Sequence, residues 1–201
     1  PGDVSSAAFL VAAAAVSGRS LVVGGVGLNP TRTHLLDVLA RMGVRTRTVV
    51  ERHELGEPVG RLEVETGSGP TGTTVAEDEL PLLIDEVPVL AMLAAHAAGE
   101  TRFLGAGELR VKESDRLTGV ADAIRTLGGA AGVEGDDLVV AGGGLRGGLA
   151  SSGGDHRMAM ALAVAALGAD GPVMIDDMEA ADVSFPGFVA ALRALGARIE
   201  P

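Results

Sequence analysis

The sequence predicts an α/β domain built from three copies of one unit, with apolar helices at the centre and strands outside. Three observations carry this. An Ala-rich apolar helix, a short β-branched run and an amphipathic helix follow one another three times. Glycines recur at near-equal spacing in the three copies: Gly18 to Gly43 is 25 positions, Gly99 to Gly128 is 29, and Gly171 to Gly196 is 25. The 201-residue chain is 47% hydrophobic yet has four Phe and no Tyr or Trp, so its core has to be Ala, Val, Leu and Ile.

The first copy opens with "SSAAFLVAAAAVSG", a helix apolar nearly all round and therefore expected at the centre. The strand "RSLVVGGV" follows, then a loop, then the amphipathic helix ending "LLDVLARMGV". The second copy repeats this with "DEVPVLAMLAAHAAG", "ETRFLGAG" and "VADAIRTLGG". Here Leu117, Val120, Ala121, Ile124 and Leu127 recur at helical spacing, and Gly128 with Gly129 supplies the left-handed stop. "EGDDLVVAGGG" then reads as turn, strand, turn. The third copy has "DHRMAMALAVAALG", "GPVMIDDM" and "FVAALRALGA", and a further strand is expected after each amphipathic helix.

Composition excludes several classes of function. A net charge of −11 and scarce aromatics count against binding nucleic acid, although a local positive pocket for a small anion remains compatible. Without cysteine the chain has neither disulfides nor a thiolate metal site. The longest apolar run, Ala7 to Val16, is too short to span a bilayer, and there is no signal-peptide pattern, so a cytoplasmic protein with no membrane partner is expected. The chain opens at Pro1, in a turn leading straight into a helix, which reads as a piece of something longer.

Three charged stretches stand out. Each apolar helix has an aspartate at or near its start: Asp3, Asp85 and Asp155. Helix capping is the ordinary explanation. Arranged about a pseudo-threefold axis, however, the three helix N-termini open on one face, and such ends attract anions. "LLIDEVPVLA" holds Asp85 at the mouth of its apolar helix, a candidate general base, with Pro88 tolerated in the first turn. "GGDHRMAMAL" sets Asp155, His156 and Arg157 ahead of a buried helix. "RVKESDR" contains Lys112, the only lysine, followed by Glu113, with Ser114 expected as N-cap and Asp115 and Arg116 in the first turn of the second copy's amphipathic helix. On charge grounds alone a solvated helix start is the commoner fate of such a run.

"PGDVSSAAFLVAAA", "NPTRTHLLDVLARMG", "LLIDEVPVLA", "ELRVKESDRL", "GDHRMAMALAVAAL" and "SFPGF" occur in this order along the whole chain. In this the sequence resembles the 3-phosphoshikimate 1-carboxyvinyltransferase (5-enolpyruvylshikimate-3-phosphate synthase) family. The resemblance implies a fold of three βαβαββ-like repeats about a pseudo-threefold axis, the enolpyruvyl transferase inverse α/β barrel. It also implies that this is a single C-terminal domain of a two-domain enzyme. The units are expected at about 1–72, 73–148 and 149–201, with the N-terminal domain not in the chain.

The implied reaction moves the enolpyruvyl group of phosphoenolpyruvate to the 5-hydroxyl of shikimate 3-phosphate and releases phosphate, on the way to aromatic amino acids. By the same resemblance Glu113 matches the carboxylate that shuttles the methylene proton. Asp85 matches the carboxylate near the 5-hydroxyl, and Lys112 the lysine that contacts shikimate 3-phosphate. Arg116 and Arg157 match the arginines that hold phosphoenolpyruvate, and His156 lies beside them. Val183 departs from the pattern, standing where many members carry a lysine before the "SFP" triplet. No cofactor and no metal is implied. The partners implied are the two small anionic substrates and the missing N-terminal domain, without which the chain is expected to be inactive; a monomer is expected. The alternatives are a domain of the related enolpyruvyl transferase acting on UDP-N-acetylglucosamine, and a catalytically silent folded domain.

Overall fold

A computed structural model describes residues 1–65 and 67–200. Its first third runs α1 (Val4–Val16), β1 (Leu21–Gly27), α2 (Leu35–Arg41), β2 (Thr46–Glu54) and β3 (Glu57–Val64). The middle runs β4 (Thr74–Val75), α3 (Val87–Ala95), β5 (Glu100–Phe103), α4 (Arg116–Thr126), β6 (Ala130–Glu134) and β7 (Asp137–Ala141). The last third runs β8 (Gly148–Ser151), α5 (His156–Ala166), β9 (Val173–Asp176) and α6 (Phe188–Ala194). Short 3-10 turns cover Glu77–Leu82, Ala106–Val111 and Met178–Val183.

The sheets repeat one topology. The order is β1-β3-β2 in the first and β4-β5-β7-β6 in the second, with β8-β9 forming the third. In each, a leading strand or bridge lies parallel to the strand after the apolar helix: Gly2 with Val26, β4 with β5, and β8 with β9. An antiparallel hairpin then adds to that strand in the first two. Strand, helix, strand, helix and hairpin is the βαβαββ order.

The reason the three apolar helices sit together is in their composition. Every residue of α3 is buried, and α1 and α5 are buried along most of their length. With no polar stripe to present to water, such helices can only pack against one another or under a sheet. Their alanines allow close approach, and Met92, Leu93 and Leu162 fill the spaces between. Phe9 of α1 meets Phe188 of α6 edge-on at 6.1 Å, which ties the first third of the chain to the last.

Two local expectations are corrected. Asp115, not Ser114, caps α4: its Oδ1 accepts from the Thr118 amide at 3.0 Å. Aspartate suits this place because its carboxylate also complements the helix dipole, and Ser114 is drawn away to another partner. Among the described residues no strand follows α6. Ala197 and Ile199 still pack on the core, but a segment without a neighbouring ladder does not become a strand. The stop at the end of α4 is as expected, with Gly128 at φ +82°.

Candidate active site

The N-termini of α1, α3 and α5 carry the densest group of charged side chains in the core. Asp155 caps α5, its Oδ1 accepting from the Arg157 amide at 2.9 Å. Asp3 caps α1 through the Ser6 amide at 2.8 Å. Asp85 is different. The residue at the cap position of α3 is Glu86, which makes no side-chain capping bond, and the Asp85 carboxylate turns to two arginines instead. Capping therefore accounts for Asp3 and partly for Asp155, and it does not account for Asp85.

Arg116 organises the cluster. Its side chain is 0% exposed. Nε and Nη2 donate side by side to the two oxygens of Asp155, at 2.8 and 3.2 Å. Nη2 also meets Glu113 Oε2 at 2.5 Å, and Nη1 reaches Asp85 Oδ1 at 3.4 Å. A planar guanidinium can serve three carboxylates at once because its donors are fixed in a fork. Ser114 Oγ donates to Asp155 Oδ2 at 2.8 Å, which is the partner that takes Ser114 away from the α4 cap. Burial alone would raise the Asp155 pKa, but the hydrogen bonds from Arg116 and Ser114 outweigh it and hold the carboxyl below its ordinary value.

Arg157 supplies the second cation. Nη2 donates to Asp85 Oδ2 at 3.1 Å and Nη1 to the Asp85 carbonyl at 3.2 Å. Asp85 is thus held between two guanidinium groups, one on each carboxylate oxygen. His156, next along α5, is half-buried, and burial followed by the nearby Arg157 charge pushes its pKa down. At neutral pH its ring is uncharged.

Of the residues singled out in the sequence, Asp85, Glu113, Arg116 and Arg157 are brought into one hydrogen-bonded group. Lys112 is not part of it. It ends the 3-10 turn before α4, and its ammonium pairs with Glu108. Val183 is 79% exposed at the end of the last 3-10 turn. Sequence reasoning missed the Ser114–Asp155 contact and passed over Glu86. The signal for Glu86 was available: an acid directly in front of a helix with no other polar residue before His96.

A cavity lies elsewhere. Among the described residues a space of about 400 Å³ is bounded by Leu10, Ala14, Leu167, Leu192, Leu195 and Ala197. It sits toward the C-terminal ends of α1 and α5, away from the charged cluster. The charged side chains are at the N-terminal ends of these helices. No described helix is long and apolar enough to cross a membrane.

The profile of the family described as EPSP synthase (3-phosphoshikimate 1-carboxyvinyltransferase) matches residues 1–192. The 3-phosphoshikimate 1-carboxyvinyltransferase of Acidiphilium cryptum (strain JF-5) is 48% identical over 100% of this chain and 45% of its own length. That of Desulforudis audaxviator (strain MP104C) is 49% identical over 97% of this chain and 46% of its own. A solved structure of EPSP synthase from Acinetobacter baumannii superposes with a TM-score of 0.94 at 38% identity, covering 100% of this chain and 47% of that one. The chain spans about half the length of the curated relatives it matches.

Proposed function

This chain belongs to the EPSP synthase family, and we propose that, as the C-terminal domain of a two-domain enzyme, it carries about half of a site that transfers enolpyruvate from phosphoenolpyruvate to shikimate 3-phosphate. The observation that carries the proposal is the Asp85 carboxylate suspended between Arg116 and Arg157 where the three apolar helices begin. A capping aspartate has no use for two guanidinium groups. A carboxylate that must face a substrate hydroxyl, beside cations that must face substrate anions, does.

The steps follow from the groups present. The reaction needs a proton delivered to the methylene carbon of phosphoenolpyruvate and a proton removed from the attacking hydroxyl. Glu113 is exposed and lies on Arg116, and is assigned the first task. Asp85 is assigned the second. The hydroxyl oxygen bonds to the central carbon as its proton passes to Asp85. The tetrahedral adduct then loses phosphate, which carries away the proton that Asp85 received, and the methyl carbon returns its proton to Glu113, restoring the double bond. Arg157 and the Nη1 edge of Arg116 take the phosphoenolpyruvate carboxylate. That edge makes the loosest contact of the buried fork, 3.4 Å to Asp85, so it is the one a ligand displaces. Lys112, beside the group, is assigned to shikimate 3-phosphate once it leaves Glu108.

Charge balance supports the half-site. Among the described residues Asp85, Glu86, Glu113 and Asp155 form their ion pairs with two guanidinium groups, those of Arg116 and Arg157. Two phosphates and a carboxylate cannot be added without more cations. These are assigned to the other domain, which also accommodates the valine at position 183.

The test is phosphate release from phosphoenolpyruvate and shikimate 3-phosphate, measured for the whole protein containing this chain and for the chain alone. Turnover is expected only in the whole protein. Turnover by the chain alone would overturn the half-site reading, and UDP-N-acetylglucosamine replacing shikimate 3-phosphate as acceptor would overturn the substrate assignment.

A further inference from the structure

Glu86 has no part in the steps above, yet its environment is unusual. The residue is 5% exposed, and its Oε1 is buried without a hydrogen bond among the described residues. A buried polar atom left unpaired costs about 1–3 kcal/mol, and an apolar residue would fill the place without that cost. Ser5 lies beside the carboxyl and favours its charged form. Ser5 Oγ in turn accepts from Arg32 Nη2 at 2.9 Å, and Arg32 also meets Asp3 at 3.4 Å. The carboxyl is therefore flanked from the α1 side. What Oε1 points toward is Arg157, whose Nη1 lies 4.0 Å away.

That distance is just beyond a hydrogen bond. Among the described residues the Arg157 guanidinium hydrogen-bonds to Asp85 alone, through both its carbonyl and its carboxylate. If Asp85 turns its carboxylate to a substrate hydroxyl, Nη2 is released and the guanidinium loses its ionic partner. Glu86 Oε1 is the acceptor within reach of the opposite edge. We propose that Glu86 is a positioning residue: it takes up Arg157 Nη1 when Asp85 engages the acceptor, and so keeps the Nη2 edge presented to the carboxylate of phosphoenolpyruvate. The unpaired oxygen of the free protein is paired in the bound one. The groups that face Glu86 are Ser5 and Arg32 from the α1 side, Asp85 from its own element, and Arg157 from α5. Asp85 is the one like charge among them, and its turning away further favours the new contact. The proposal rests on reading Arg157 as a ligand of phosphoenolpyruvate.

The experiment uses the whole protein containing this chain, labelled with nitrogen-15, and the variants Glu86→Met and Glu86→Gln. Methionine keeps the volume without an acceptor; glutamine keeps an acceptor without a charge. Thermal melts establish that each is folded. Phosphoenolpyruvate affinity is read as its KM for phosphate release at saturating shikimate 3-phosphate, and the Arg157 Nε–H resonance, assigned with Arg157→Lys, is followed as shikimate 3-phosphate alone is added. For Glu86→Met, affinity is expected to fall about tenfold, the order of one charge-assisted hydrogen bond, with the Arg157 resonance shifted or broadened. Glu86→Gln is expected to recover most of that loss. Unchanged affinity and an unchanged Arg157 resonance in folded Glu86→Met would overturn the proposal. So would a Gln variant as weak as the Met variant.

If Arg157→Lys in the whole protein leaves the phosphoenolpyruvate KM unchanged, the assignment of Arg157 fails. Glu86 is then decided by the resonance alone: a change in Glu86→Met supports positioning of Arg157, and no change overturns it. Should Glu86→Met not fold, Ser5→Ala decides, since it removes the hydroxyl beside the carboxyl. A loss of about threefold supports the proposal and unchanged affinity overturns it.

Discussion

The two ends of the central helices share a scaffold and differ in everything else. At the N-terminal end, α3 and α5 present Asp85, Glu86, Asp155 and Arg157 around the fully buried Arg116. Toward the C-terminal end, α1, α5 and α6 line a cavity of about 400 Å³ with leucines and alanines. Concavity alone would direct attention to the cavity. Charge directs it to the N-terminal end, where carboxylates and guanidinium groups hold each other in fixed geometry. The difference teaches that packing built the scaffold at both ends, while ionic groups were tolerated only at the end where helix dipoles and paired partners offset their burial.

The sharpest way to break the comparison is to remove Arg116. Arg116→Met leaves Asp155 buried with no cation, and removing one partner of a buried pair costs about 3–5 kcal/mol. A chemical denaturation curve is expected to show a loss of that order, with phosphate release by the whole protein abolished. A variant that kept wild-type stability would mean that the Asp155–Arg116 pair does not organise this end.

Glu113→Gln probes the chemistry without the scaffold. Glu113 is exposed, so the melting curve should change little, while loss of a proton shuttle costs about 10²–10⁴ in rate. Steady-state phosphate release by the whole protein is the measurement; a wild-type rate would end the shuttle assignment. The opposite dissociation is expected at the other end. Leu192, 1% exposed, lines the cavity, and Leu192→Ala is expected to destabilise by about 2–5 kcal/mol while leaving phosphoenolpyruvate affinity unaltered below the melting transition. If it weakened binding as much as a site variant, the two ends would have to be treated as coupled.

The same division decides what was legible in the sequence. The central helices were, because an unbroken apolar composition has only one place to go. The repeat was, because glycine spacing and β-branched runs are local signals. Arg116 and Asp155 sit 39 positions apart, and no local pattern states that one will bury itself on the other. Ser114 was misassigned as the α4 cap for the same reason: its true partner comes from α5. Asp85 could be marked as a candidate base, yet its two arginines come from α4 and α5, and only the fold brings them together. Glu86 was passed over because an acid at the cap position of a helix looks like dipole compensation until its burial is seen.

The smallest expected effect is also the most direct readout of how the charged end is balanced. Burial raises the Glu86 pKa above its ordinary value of 4.5, and the Asp85 charge adds to this, while Ser5, Arg157 and Arg32 oppose it. Asp155 is shifted the other way. The folded state therefore binds the Glu86 proton more tightly than the unfolded chain does, so stability is fully present below the unfolded value and is lost as pH rises through the folded one. For Asp155 the contribution is present above its ordinary value of 3.8 and is lost as pH falls through the depressed one. Stability measured by denaturation from acid to neutral pH should rise first and then give part of the gain back. Glu86→Gln cannot ionise and should remove the later fall while leaving the acid limb. Asp155→Asn should remove the acid limb at a large constant loss. The same later fall in Glu86→Gln would show that a different group holds that proton, and the charged end would then be balanced without the buried acid next to Arg157.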